Sequence, residues 1–150
     1  MTLKNALNYF KSLVSETSKK SEIKVYQNFI QIISSLEKRE LSETEIQAIE
    51  TELDALDLNS ATAHNKKYYK KALQQFKKYL KDTFSLTTKG YYTNTGVGLG
   101  TLFGVLFGVV VLGSFERSMG ISLGISLGML IGLLIGRHLD AQAEASGMMV

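Results

Sequence analysis

Two stretches of this chain carry no charge, and they leave few architectures open. From Gly90 to Phe115, 26 residues pass without Asp, Glu, Lys, Arg or His. Glu116 and Arg117 interrupt the run, and 19 more uncharged residues follow, Ser118–Gly136. About 20 apolar residues at 1.5 Å rise cross a hydrocarbon core of roughly 30 Å. The pattern therefore predicts a hairpin of two membrane-spanning helices, over about 95–115 and 118–136. On an insertion scale, the 12 Val, Leu and Phe residues of the first span sum to about −4 to −7 kcal/mol. The nine Ile and Leu residues of the second give about −3 to −5 kcal/mol, offset by five glycines and three serines. The second span is the weaker and is expected to enter as a hairpin with the first. A buried hairpin in a soluble protein is disfavoured, because the 89 preceding polar residues are too few to cover two fully apolar helices.

Those 89 residues hold 15 of the 17 basic and 11 of the 14 acidic side chains. Apolar residues recur in them at three- and four-residue steps, the period of helices with one buried face. Thr2 can cap a helix over about 3–15, with Leu3, Ala6, Leu7, Phe10, Leu13 and Val14 on one side. Ser21 is the expected N-cap of a second helix over about 22–39, carrying Ile23, Tyr26, Phe29, Ile30, Ile33 and Leu36. Ser42 followed three residues later by Glu45 is a capping box that opens a third, over about 43–57. After the polar stretch Asn59–Asn65, a fourth helix runs over about 66–84, with Tyr69, Ala72, Leu73, Phe76, Leu80 and Phe84 inward and lysines outward. The chain contains no proline, which suits uninterrupted helices.

Charge is segregated as well. Residues 37–57 carry eight acids against two bases, whereas residues 60–89 carry eight lysines against Asp82 alone. Either the two segments attract each other as packed helices, or the lysines rest on anionic lipid headgroups, with Lys77, Lys78, Lys81, Lys89 and Arg137 nearest the spans. Basic residues flank the hairpin on the terminal sides, so both termini are expected in the cytoplasm and the protein in the cytoplasmic (inner) membrane. Tyr91 and Tyr92 fall where an interfacial anchor belongs.

The glycines make the spans distinctive. Gly96, Gly100, Gly104 and Gly108 recur every four residues in the first, and Gly120, Gly124, Gly128, Gly132 and Gly136 in the second. Four residues turn a helix by about 400°, so the stripe drifts by about 40° per step and favours a right-handed crossing. Glycine costs a helix about 1 kcal/mol relative to alanine, and close backbone packing is the compensation a bilayer offers. Ser122 and Ser126 sit two positions after a glycine, on the far side of the helix, and Gly98 and Thr101 lie off the stripe of the first span. Two contact faces per hairpin suit a homo-oligomer. If a pore forms, Thr101, Ser118, Ser122 and Ser126 are its expected polar lining.

The repeats GVGLGTLFG and GISLGISLGMLIGLLIG, closed by GRHLDAQAEASG with Asp140, Ala143 and Gly147, resemble those of the glycine-zipper double-transmembrane proteins over about residues 94–147. The resemblance implies a tightly packed, often oligomeric hairpin and carries over no catalytic residue. The pattern is also similar to that of the rotor-ring subunits of ATP synthases, whose ion transport requires a carboxylate midway through the second span. Leu123–Leu133 contains no ionisable residue, which excludes that role.

Other chemistry is sparse. The absence of cysteine removes disulfides and thiolate sites. His64 and His138 stand 74 residues apart, GVGLG lacks the following GK[ST] of a phosphate loop, and no nucleophile–base pair can be named. The expected fold is all-α, with a cytoplasmic helical bundle at 1–89, a transmembrane hairpin at 90–136 and a cytoplasmic tail at 137–150. The expected function is non-enzymatic, without cofactor, metal or nucleic acid, and is that of a homo-oligomeric structural or channel-type membrane protein. The alternatives are a membrane-anchored adaptor that binds a protein partner through residues 1–89, and a membrane-disrupting effector of the toxin or holin type.

Overall fold

A computed structural model describes residues 1–58, 65–110 and 117–150. Its secondary structure is all-helical, with α1 at Leu3–Glu16, α2 at Lys20–Glu37, α3 at Glu43–Ala55, α4 at Lys66–Phe84, α5 at Tyr91–Val110 and α6 at Arg117–Ala145. The chain divides into two compact units, Met1–Thr87 together with Val150, and Thr88–Met149. The stretch 59–64, with His64, and the end of the first expected span at 111–115, with Glu116, lie outside the described residues.

Local chemistry accounts for most helix ends in the first unit. The Thr2 side chain accepts from the Asn5 amide and starts α1. At α3 both halves of the capping box form: the Glu45 amide donates to Ser42 Oγ at 3.3 Å, and the Ser42 amide donates to the Glu45 carboxylate at 2.8 Å. Those bonds to the ionised form hold the Glu45 pKa below its usual range. Helix α4 closes on Ser85 in the left-handed region, φ 56°, and the Leu86 amide donates to the Leu80 carbonyl.

Helix α2 departs from expectation. Ser21 is not its cap; the helix begins two residues earlier than expected, with Lys19 at the N-cap position and no side-chain cap bond. Glu22 sets this start. Its buried carboxylate accepts from the Thr17 hydroxyl at 2.9 Å and lies 3.4 Å from the Lys19 ammonium. A carboxylate in the first turn also opposes the positive end of the helix dipole.

An aromatic stack assembled from three helices fills the core. Phe10 of α1 stacks on Phe29 of α2 with centroids 4.2 Å apart, and Phe29 reaches Phe76 of α4 at 6.2 Å. Tyr26 and Tyr69 meet edge to face at 5.2 Å. Ile49 and Leu53, the buried face of α3, complete the cluster. Val150 belongs to it as well: its side chain is buried and its amide donates to the Thr87 carbonyl at 2.8 Å. The unit therefore gives up the chain at Thr87 and receives it again at the same point.

The two buried tyrosines differ. The Tyr9 hydroxyl shares a 2.7 Å hydrogen bond with Tyr69 and donates to the Leu58 carbonyl at 2.9 Å. The Tyr26 hydroxyl is buried with no partner among the described residues. Burial is the first cause that raises both the Tyr26 and the Tyr69 pKa above 10.0. A folded-state pKa above the unfolded value means stability that is fully present below pH 10 and drains away as pH climbs beyond it. Tyr26→Phe is predicted to raise unfolding stability by about 1 kcal/mol and Tyr69→Phe to lower it by a similar amount. Chemical denaturation of the reconstituted protein followed by circular dichroism tests both, and the double variant should lose less stability than wild type between neutral and strongly alkaline pH.

Candidate functional site: a glycine-lined helix pair

The second unit consists chiefly of α5 and α6 packed against each other. Both pass the length and composition test for a membrane span, α5 over Tyr91–Val110 and α6 over Met119–Ala145. The apolar windows of these helices are only 11% and 22% buried, unlike the core helices of a soluble protein. Helix α5 starts at Tyr91, four residues before the expected span. Helix α6 continues nine residues past Gly136, so the segment expected as a tail is helical as far as Ala145. Arg137–Ala145 holds good helix formers and no glycine. The helix stops only at Gly147, whose φ of 67° reverses the chain while the Met148 amide donates to the Ala143 carbonyl.

The four-residue period places all nine stripe glycines between the helices. Gly96 faces Gly132, Gly100 faces Gly128, Gly104 faces Gly124 and Gly108 faces Gly120, in one antiparallel register. A Cβ added to Gly108 would lie 2.6 Å from the Gly120 carbonyl oxygen, and one added to Gly128 would lie 2.8 Å from Gly104 Cα. Backbone thus meets backbone along the whole seam, leaving no room for a methyl group. Gly136 continues the register against Tyr92 and Thr93, with 2.6 Å left to the Tyr92 carbonyl.

Each position after a glycine has its own place. The next residue lies on one flank: Val97, Thr101, Val105, Ile121 and Ile125 are half-buried, whereas Val109 and Met129 at the same position are exposed. The third residue after a glycine lies on the other flank and is large. There Leu99, Phe103 and Phe107 of α5 and Leu127, Ile131 and Ile135 of α6 wall an apolar groove of about 530 Å³ over the glycine floor. The second residue is about 200° from the seam and points away from the partner helix. Leu102, Leu106 and Val110 occupy it on α5 at 64%, 62% and 77% exposure. Every exposed large hydrophobic side chain among the described residues belongs to this second unit.

The residues expected to line a pore do not share a face within the pair. Ser122 and Ser126 point away from α5, whereas Thr101 lies on the flank, and the Ser118 side chain is outside the described ones. The Thr101 hydroxyl donates to the Val97 carbonyl at 2.7 Å and that of Ser126 to the Ser122 carbonyl at 2.8 Å. Each hydroxyl so bonded has its one proton engaged within its own helix. Gly98 stands apart from the stripe glycines: a Cβ there would touch nothing within 4 Å.

Helical periodicity gives no hint of the contact that closes the pair. Asp140 of α6 accepts from the first amides of α5, Oδ1 from Tyr92 and Oδ2 from Thr93, each at 3.0 Å. It is an N-cap supplied by another helix, satisfying donors that no residue of α5 reaches. Of the expected headgroup contacts, Lys78, Lys81, Lys89 and Arg137 are exposed, whereas Lys77 is half-buried and burial lowers its pKa. His138 is exposed and shares a 3.2 Å contact with Gln142, and no group of three metal-ligating side chains occurs among the described residues. Compared with known protein families, curated proteins and solved structures, the chain matches none.

Two outcomes test this geometry. Gly124→Leu with Gly128→Leu should force the helices apart toward the ordinary interaxial distance of about 8–10 Å, whereas Gly98→Leu should leave their spacing unchanged. Because the chain lacks cysteine, spin labels on single cysteines at Leu102 and Leu130 can report that distance. Asp140→Ala should weaken the start of α5 by about 1 kcal/mol and speed hydrogen exchange at the Tyr92 and Thr93 amides, with Asp140→Asn intermediate.

Proposed function

We propose that this chain is an integral membrane protein in which α5 and α6 form a glycine-zipper hairpin in the bilayer and hairpins associate into a homo-oligomer of structural role. One observation carries the membrane reading: the pair is built inside out, with glycine within and Leu, Phe, Ile and Val without. In water that arrangement exposes a large apolar surface, whereas lipid tails accept it at no cost and reward close packing of small residues. The resemblance to glycine-zipper double-transmembrane proteins supports the same reading.

Self-association is assigned to the outward faces, because the stripe glycines are all engaged within one hairpin. Gly98 leaves open space on α5, and Ser122 and Ser126 present small side chains on α6; both let a neighbouring helix approach closely. A structural oligomer is favoured over a channel, since the Thr101 and Ser126 hydroxyls already bond to backbone and do not share a face. The engagement of the whole glycine stripe inside one hairpin favours a second reading, a membrane-anchored adaptor. In that case the hairpin is a tether for a helical domain, Met1–Thr87, that binds a cytoplasmic partner.

Native mass spectrometry of the full chain released from lipid nanodiscs distinguishes them. A single defined oligomer is expected, and Ser122→Leu with Ser126→Leu should dissociate it while the Leu102–Leu130 distance holds. A monomer would refute the oligomer and leave the adaptor. Dye leakage from liposomes carrying the wild-type oligomer, lost in the serine variant, would add a pore to its role.

A further inference from the structure

We infer that the outward face of α4 is a docking surface for anionic lipid headgroups, formed by Lys67, Lys70, Lys71 and Lys78. The inference rests on the membrane-hairpin reading and adds a second, peripheral contact with the bilayer. Helix α4 buries Tyr69, Ala72, Leu73, Phe76 and Leu80. At 100° per residue the four lysines cluster on the opposite side, and all four are exposed. Over the 11 helical steps from Lys67 to Lys78 the ridge is about 17 Å long. Asp82 is the helix's single acid.

These lysines could have served the packing of the helices, through attraction to the acidic segment at 37–57. They do not: none of the four makes an ion pair among the described residues. No acid lies within ion-pair distance of them among the described residues, and the exposed acids Glu37, Glu43 and Asp54 lie on α2 and α3. An anionic surface is complementary in charge to this ridge.

The ridge carries no exposed aromatic or aliphatic side chain of the kind that anchors a protein interface. A flat sheet of negative headgroups asks for none; it rewards juxtamembrane lysines through charge alone. Chain length supplies proximity. Only six residues, Ser85–Gly90, separate α4 from the first apolar helix, and six extended residues span at most about 20 Å. A bilayer that holds α5 thus keeps the end of α4 within reach of its surface.

The test uses the full chain in vesicles of phosphatidylcholine, with or without phosphatidylglycerol, and measures acetylation of each lysine by mass spectrometry. In the anionic vesicles at low salt, Lys67, Lys70, Lys71 and Lys78 should react at least about threefold more slowly than in phosphatidylcholine. Lys4 and Lys11 of α1 serve as internal references, and high salt should abolish the protection through screening. Equal rates in the two compositions, with protein that floats with both, would overturn the lipid surface while leaving the hairpin intact. Protection by added polyglutamate but not by anionic vesicles would overturn it in favour of an acidic protein partner. Protein that floats with neither vesicle would remove the hairpin reading and this inference together.

Discussion

Backbone contact along the α5–α6 seam is the constraint on which the second unit depends. Four glycine pairs and Gly136 bring carbonyl oxygens of one helix against the Cα atoms of the other. Everything else about the pair follows from that approach. Large side chains cannot enter the seam, so they turn outward, and the surface becomes apolar. The same exclusion separates the half-buried branched flank from the grooved flank walled by Leu, Phe and Ile. A helix pair of this kind has no packing reason to keep large residues inside and a strong one to keep them out.

The first unit obeys the opposite rule. There the aromatic rings of α1, α2 and α4 fill the centre, and the helix ends are fixed by side-chain hydrogen bonds at Thr2, Ser42 and Asn65. Two buried hydroxyls of this unit, those of Tyr26 and Thr87, have no hydrogen-bond partner among the described residues. One chain thus carries two packing logics, large-inside in the first unit and small-inside in the second. The change falls close to Gly90, where the first uncharged run begins.

Helix positions and faces were legible because they depend on near neighbours. A capping box needs two residues three apart, and a buried stripe needs a period of 3.6, so Ser42–Glu45 and the Phe10, Phe29 and Phe76 faces could be read directly. The pairing of Gly100 with Gly128 could not, since a stripe announces that a helix packs closely without naming its partner or register. Asp140 was opaque for the same reason: its bonds to Tyr92 and Thr93 span 48 and 47 residues. The start of α2 misled because Ser21 has the chemistry of a cap, while the competing bonds of Glu22 to Thr17 and Lys19 depend on burial. The length of α6 was missed because the loss of hydrophobicity after Gly136 ends an apolar run without ending the helix.

The place of Val150 in the first unit has a consequence for the order in which the chain matures. A ribosome makes Val150 only after both apolar helices, so the core that receives it is incomplete throughout their synthesis. When the residue arrives, the loop it must close holds the whole second unit, and a disordered loop of that length opposes closure entropically. A hairpin already paired at its glycines holds its two ends close together and removes much of that opposition. Completion of the helical core is thereby coupled to pairing of the two apolar helices.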